Sequence, residues 1–226
     1  MPATSALTAD IEVFTQSSIR IRTKQPSGAS LTIYADTFQM SEAPHDADLI
    51  LITHDHYDHY SPEDIAKVAK TDAPTPTIVV VPERMAADVQ RELGPACDVR
   101  AVAPDSHYEI GGLAFDTVPS YNINKRFHPR EAGWVGYVLD LCGRTVYISG
   151  DTDATPEARA VRCDVALVPI GGTYTMTPRE AADLINEMAP QVAIPTHYGS
   201  IVGRREDAQT FAAAVQPAIA VEVKIP

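Results

Sequence analysis

The segment LILITHDHYDHYSPED, Leu49 to Asp64, sets three histidines and two aspartates within the six residues His54 to His59. Neutral imidazoles and a carboxylate suit zinc, iron or manganese. Alternation along an extended loop would aim His54 and His56 together while Asp58 and His59 aim elsewhere, so that one short loop could serve two adjacent metals. The competing reading is a solvated polar loop that happens to be rich in histidine, but histidine is the commonest metal ligand. If these side chains are ligands, the rest of the site must come from other strand ends.

The elements that would position such a loop are legible around it. DLILIT is an unalternating apolar run short enough for a strand buried on both faces. Ser61-Pro62-Glu63-Asp64 reads as a helix start, with Ser61 as N-cap, Pro62 at the first helical position and Asp64 at the capping-box position. Strands are expected at IEVFT, SIRIRT and SLTIYAD, with a turn at Pro26-Ser27-Gly28, and again at TIVVV and VRAVA. YEIGGLAFDTVPSY should turn at Gly111-Gly112, and WVGYVLDLCGRTVYIS should form two strands around Cys142-Gly143. DVALVPI, VAIPT and AVEVKI complete the strands, and helices are expected from Pro82 to about Leu93, Thr177-Pro178 to about Met188, and near Arg205 to Val215. Strand runs followed by strand-helix alternation predict an α/β (α+β) fold, a four-layer αββα sandwich of two mixed β-sheets flanked by helices, as one domain over residues 1–226.

Composition narrows the partners. Thirty acidic against eighteen basic residues give a formal charge of −12, which argues against nucleic acid, since phosphate neutralisation needs clustered Lys and Arg. No stretch approaches a membrane span and MPATSALTAD lacks the pattern of a signal peptide, so a cytoplasmic protein is expected. Cys97, Cys142 and Cys163 are odd in number and widely separated, and imply neither a disulfide framework nor a thiolate zinc site. A homo-oligomer is compatible with the sequence.

THDHYDH resembles the T-H-x-H-x-D-H signature of the metallo-β-lactamase superfamily of metallohydrolases. The resemblance implies that His54, His56, Asp58 and His59 ligate metal. It also implies a bridging aspartate after a later strand, matched by Asp151 in TVYISGDTD, and a final histidine, matched by His197 in VAIPTHYG. PIGGTYTMTPREAA and IPTHYG are most similar to the small single-domain branch that includes ascorbate-6-phosphate lactonase-like proteins. The family's further histidine, expected just after the hairpin strand, is replaced by Tyr121 and Asn122. His107 precedes the hairpin and reads as a surface residue. His128, in NKRFHPREAG, either folds back as a metal or substrate ligand or packs beside Pro129; without it the site could hold a single metal.

Zinc, as one or two ions, is the expected cofactor, with manganese, iron or nickel compatible with the same ligands. The implied chemistry is hydrolysis of a small, anionic ester, lactone, amide or phosphodiester by metal-bound hydroxide. Asp58 would orient the hydroxide and Tyr198 would donate to the developing oxyanion, with Tyr174 and Tyr121 as competitors. Lys125 and Arg126, flanked by Tyr121 and Asn122, would bind a substrate carboxylate or phosphate, and Trp134 reads as core. The H-x-H-x-D-H pattern disfavours the di-iron redox relatives, which resemble H-x-E-x-D-H. A metal-binding or ligand-sensing module that has lost catalysis is the non-enzymatic alternative.

Overall fold

The computed structural model describes residues 4–25, 27–71 and 74–225. A six-stranded sheet runs in chain order through β1 (Ile11–Val13), β2 (Ile19–Lys24), β3 (Ser30–Ala35), β4 (Leu49–Leu51), β5 (Thr77–Pro82) and β6 (Cys97–Val102). A seven-stranded sheet follows with β7 (His107–Ile110), β8 (Leu113–Pro119), β9 (Val135–Asp140), β10 (Thr145–Ile148), β11 (Val165–Pro169), β12 (Val192–Thr196) and β13 (Ala220–Val221). Each sheet begins as an antiparallel meander and ends in parallel strands. Helices α1 (Pro62–Val68) and α2 (Glu83–Leu93) belong to the first half, and α3 (Pro156–Ala160), α4 (Pro178–Met188) and α5 (Asp207–Ala214) to the second.

Three apolar layers explain the strand patterns. Leu49 and Leu51 face a core between the sheets, shared with Val135, Tyr137, Leu167 and Ile194, whereas Ile50 and Ile52 face α1 and α2 beside Ile65, Met85 and Val89. Ala166, Val168 and Ala193 face the other way, toward Leu184, Ile185 and Phe211 of α4 and α5. Parallel strands covered on both sides have no solvent face and therefore no alternation. The αββα order follows from these layers.

The capped helices form where expected. The Ser61 hydroxyl accepts from the Asp64 N–H at 3.2 Å, and Thr177 with Glu180 completes a capping box on α4. Gly111 and Gly112, at φ +60° and +78°, turn the β7–β8 hairpin. Of the expected turn at Pro26-Ser27-Gly28, Pro26 lies outside the described residues. Two expectations change. AVEVKI contributes a two-residue strand, because beyond Val221 a single further backbone bond, from Glu222 N–H to the Ala193 carbonyl, continues the ladder. α3 was not anticipated, although Thr155 caps it through the Ala158 N–H and Pro156 occupies its first position. Among the described residues no helix is long and apolar enough to cross a membrane.

Candidate metal centre

The strands that carry the candidate ligands all run toward one rim of the sandwich. β4 leads to Thr53-His54, β10 to Asp151 and β12 to His197. The two sheets meet closely there: Thr53 O accepts from Val135 N–H at 3.2 Å, and the Tyr137 hydroxyl donates to Ile52 O at 2.7 Å. Gly150 sits at φ +62°, and a Cβ on it would lie 2.9 Å from the Thr53 Cβ, so glycine serves both the turn and the approach of the sheets.

The loop His54–His59 faces two ways by a tight turn, not by simple alternation. His56 O accepts from the N–H groups of both His59 and Tyr60 at 2.9 Å, which reverses the chain and returns His59 beneath His54. The rings of His54 and His59 are 3.9 Å apart between centroids. Potential ligand atoms of His54, His56 and His128 gather in one group, and those of Asp58, His59 and His197 in another, each group within 4.8 Å. Asp151 lies between them. Its Oδ2 is 3.4 Å from His128 Nε2 and 3.1 Å from His197 Nε2, while its Oδ1 is 3.4 Å from His59 Nε2.

His128, six residues beyond Asn122, brings a ring nitrogen into the group with His54 and His56. Asn122 N–H donates to His128 O at 2.7 Å, closing the loop back on itself, and Asn122 Oδ1 faces His128 Nδ1 at 3.1 Å. A proton on that Nδ1 leaves Nε2 free toward Asp151. Comparable contacts orient two other rings. His59 Nδ1 lies 2.7 Å from Asp36 Oδ2 and His54 Nδ1 lies 2.9 Å from Thr53 Oγ1, whose hydroxyl donates to Asp36 at 2.8 Å. Asp36 is buried and also accepts the Thr53 N–H at 2.8 Å. Sequence reasoning passed over Asp36 and Thr53; the available signal was an aspartate directly after the apolar strand SLTIYA, where a charge must find partners.

The electrostatics suit a cation. Burial, then the His59 imidazole, push His54 well below its ordinary pKa, and burial and His128 lower His56. Burial alone would raise Asp151, but His197 and His59 outweigh it and hold the carboxyl well below its usual range. Asp58 is lowered in the same way: burial acts upward, and the His197 hydrogen bond and His59 act downward more strongly. Burial would lower His59, but Asp151 and Asp36 raise it well above its ordinary value. His59 Nε2, His128 Nε2 and Asp151 Oδ1 are buried without a hydrogen-bond partner and converge on one region. Unsatisfied buried donors and acceptors of this kind are costly, and a metal ion satisfies them together; the donor set fits.

A cavity of about 230 Å³ opens over this cluster, with His56, Asp58, His128, Asp151 and His197 in its floor. A larger hollow of about 550 Å³ beside Leu7, Arg22, Cys142 and Arg144 contains none of these ligands.

Several residues expected at the substrate lie elsewhere. Tyr198 is buried in the core with Ala208 and Phe211 and does not line the cavity, the chain having turned at His197, just past β12, with φ +56°. Tyr121 donates its hydroxyl to Glu157 at 2.8 Å. Lys125 pairs with Asp153 at 2.7 Å, and Arg126 is exposed and outside the lining. Asn122 positions His128 and donates to Tyr174 O at 3.0 Å. Trp134 is buried against His54 and His56, with ring centroids 5.0 and 4.9 Å away. His107 is an exposed partner of Asp116.

Comparison with known proteins now decides the family. The sequence profile of the β-lactamase superfamily domain matches residues 29–198, most of the chain. A metal-dependent hydrolase of the UPF0173 group from Thermoplasma acidophilum is 34% identical over 173 residues, covering 74% of this chain and 72% of that one. The chain belongs to the metallo-β-lactamase superfamily. A Parabacteroides distasonis protein solved as a candidate metal-dependent hydrolase superposes with a TM-score of 0.77 at 27% identity, covering 96% of this chain and 93% of its own. The di-iron β-hydroxylase of Streptomyces venezuelae shares the fold at a TM-score of 0.70 and 14% identity, with 94% of this chain and 52% of that one covered.

Proposed function

We propose that this superfamily member hydrolyses an ester, lactone, amide or phosphodiester bond in a small molecule, using two metal ions held by the histidine-aspartate cluster. The observation that carries the reading is Asp151, whose two oxygens lie within 3.4 Å of ring nitrogens from both groups. His54, His56 and His128 would hold one ion and Asp58, His59 and His197 the other, with Asp151 between; zinc is the metal we favour for this set. Held there, such ions would supply Lewis acidity, enough to ionise a water near neutral pH and to polarise a carbonyl or phosphoryl oxygen.

The chain's own groups supply the rest. Asp58 both lines the cavity and contacts His197 at 3.2 Å, so it is placed to help hold an ion and to orient the attacking water. Asp36, Thr53 and Asn122 keep three imidazoles turned with Nε2 inward, which removes the need to reorder them during turnover. Trp134 closes the space behind His54 and His56 and keeps water from that side.

The test is metal-replete wild type against Asp58→Ala on ester, lactone, amide and phosphodiester panels. Turnover should fall by at least about a hundredfold in the variant, because a metal-dependent reaction loses both a ligand and the group that orients the water, with the fold retained by circular dichroism. Wild-type rates in Asp58→Ala would remove Asp58 from the mechanism. Tight metal binding without turnover on any panel would favour a sensing module.

A further inference from the structure

Above the ligand floor, the cavity is walled by Tyr57, Phe127, Tyr174 and Ile201. Among the described residues no Lys, Arg, Asn, Gln, Ser or Thr lines it. Of the nearby cations, Lys125 pairs with Asp153, Arg130 pairs with Glu157 at 2.6 Å and Arg84 stands over the Trp134 ring at 5.8 Å, while Arg126 is exposed and outside the lining. A carboxylate or phosphate on the non-reacting part of a substrate would lose hydration between these walls and gain no partner.

The walls also expose what soluble surfaces normally cover. Tyr57 is 66% exposed and Phe127 38%, and both belong to the four large hydrophobic residues most exposed among those described. Each ring is held from behind, Tyr57 by Phe38 at 5.9 Å between centroids and Phe127 by Tyr174 at 4.8 Å, both edge to face. Asn122 anchors the Tyr174 backbone and His128 together, so the aromatic wall and the ligand floor keep a common frame. A dry apolar cavity of roughly 150 Å³ holds benzene, so about 230 Å³ has room for one ring and the linkage to be cleaved.

We infer that the cavity selects an uncharged substrate bearing an aromatic or compact apolar group, seated among Tyr57, Phe127, Tyr174 and Ile201 with its scissile bond toward Asp58 and Asp151. This selectivity rests on the hydrolytic reading of the centre and replaces the anionic substrate expected from Lys125 and Arg126.

Binding can be tested apart from turnover with hydroxamates, which anchor on metal and differ only in their tails. Calorimetry on the metal-replete protein should show phenylacetohydroxamate binding at least about tenfold tighter than succinohydroxamate, whose tail is a carboxylate, a ratio within the reach of a small apolar pocket. Phe127→Ala and Tyr57→Ala should each shrink that ratio while leaving metal stoichiometry unchanged. Equal affinities, a preference for the carboxylate tail, or no binding of either hydroxamate would overturn the inference. So would a dimer that dissociates in both variants while wild type shows no aryl preference, since the apolar mouth would then belong to a second copy. Turnover of methyl phenylacetate and monomethyl succinate separates the two readings: an intact aryl preference with neither ester cleaved supports the selectivity and counts against hydrolysis.

Discussion

Asn122 shows how one side chain can orient a candidate ligand without itself joining the cluster. Its backbone N–H closes the loop onto His128 O, its carboxamide oxygen faces His128 Nδ1, and its amide nitrogen reaches Tyr174 O. Truncation to Ala removes the group that orients a candidate ligand but leaves all seven metal-capable side chains in place. Loss of such an orienting partner costs about 10–100-fold in metal affinity, and Asn122→Ala should show that loss by competition with a chelator. Unchanged affinity would mean that packing alone orients His128. Asp36 occupies the same relation to His59 but is fully buried, and its two oxygens also serve Thr53, so its replacement would disturb the fold as well as the ligand.

The elements matter through where they stop. β4, β10 and β12 each release a ligand within a few residues of their last paired position, so small shifts in the strands become shifts in the site. Gly150 is the sharpest case. Ala there would hold a left-handed backbone at about 1–3 kcal/mol of strain and press its Cβ on Thr53, which orients His54 and binds Asp36. Gly150→Ala should therefore lower the denaturation midpoint and the bound metal together. Loss of stability with full metal content would separate the turn from the site. Element boundaries were largely readable from local chemistry: Ser61 and Thr177 cap the helices their sequences announce, and the doubly buried strands lack alternation. The loop His54–His59 was less readable, because its two-way presentation depends on the bonds to His56 O and not on a strand period.

At the scale of the molecule, the site exists because two sheets packed over a shared core bring their strand ends together at one rim. The Tyr137 hydroxyl, fully buried in the second sheet, donates to Ile52 O at the end of β4 in the first. Tyr137→Phe would leave that carbonyl without this donor at a cost of about 1–3 kcal/mol. Urea unfolding should show the loss as a lower midpoint at unchanged slope. A neutral result would place the junction in apolar packing alone.

By itself the sequence determined the metal-capable side chains, their placement after apolar strands and the layered fold, because residue type, strand burial and helix capping are local properties. Only the tertiary structure decided that His128 gathers with His54 and His56, that Asn122 contacts His128 and Asp36 contacts His59, that Tyr198 enters the core, and that Lys125 is spent on Asp153. Those outcomes turn on loop closure across six residues, on how the chain turns past a strand end, and on which distant charge arrives first. A short window of neighbours settles none of them, since Asp36 meets His59 across 23 positions and Lys125 meets Asp153 across 28, and His128 joins His54 and His56 only when the two sheets pack.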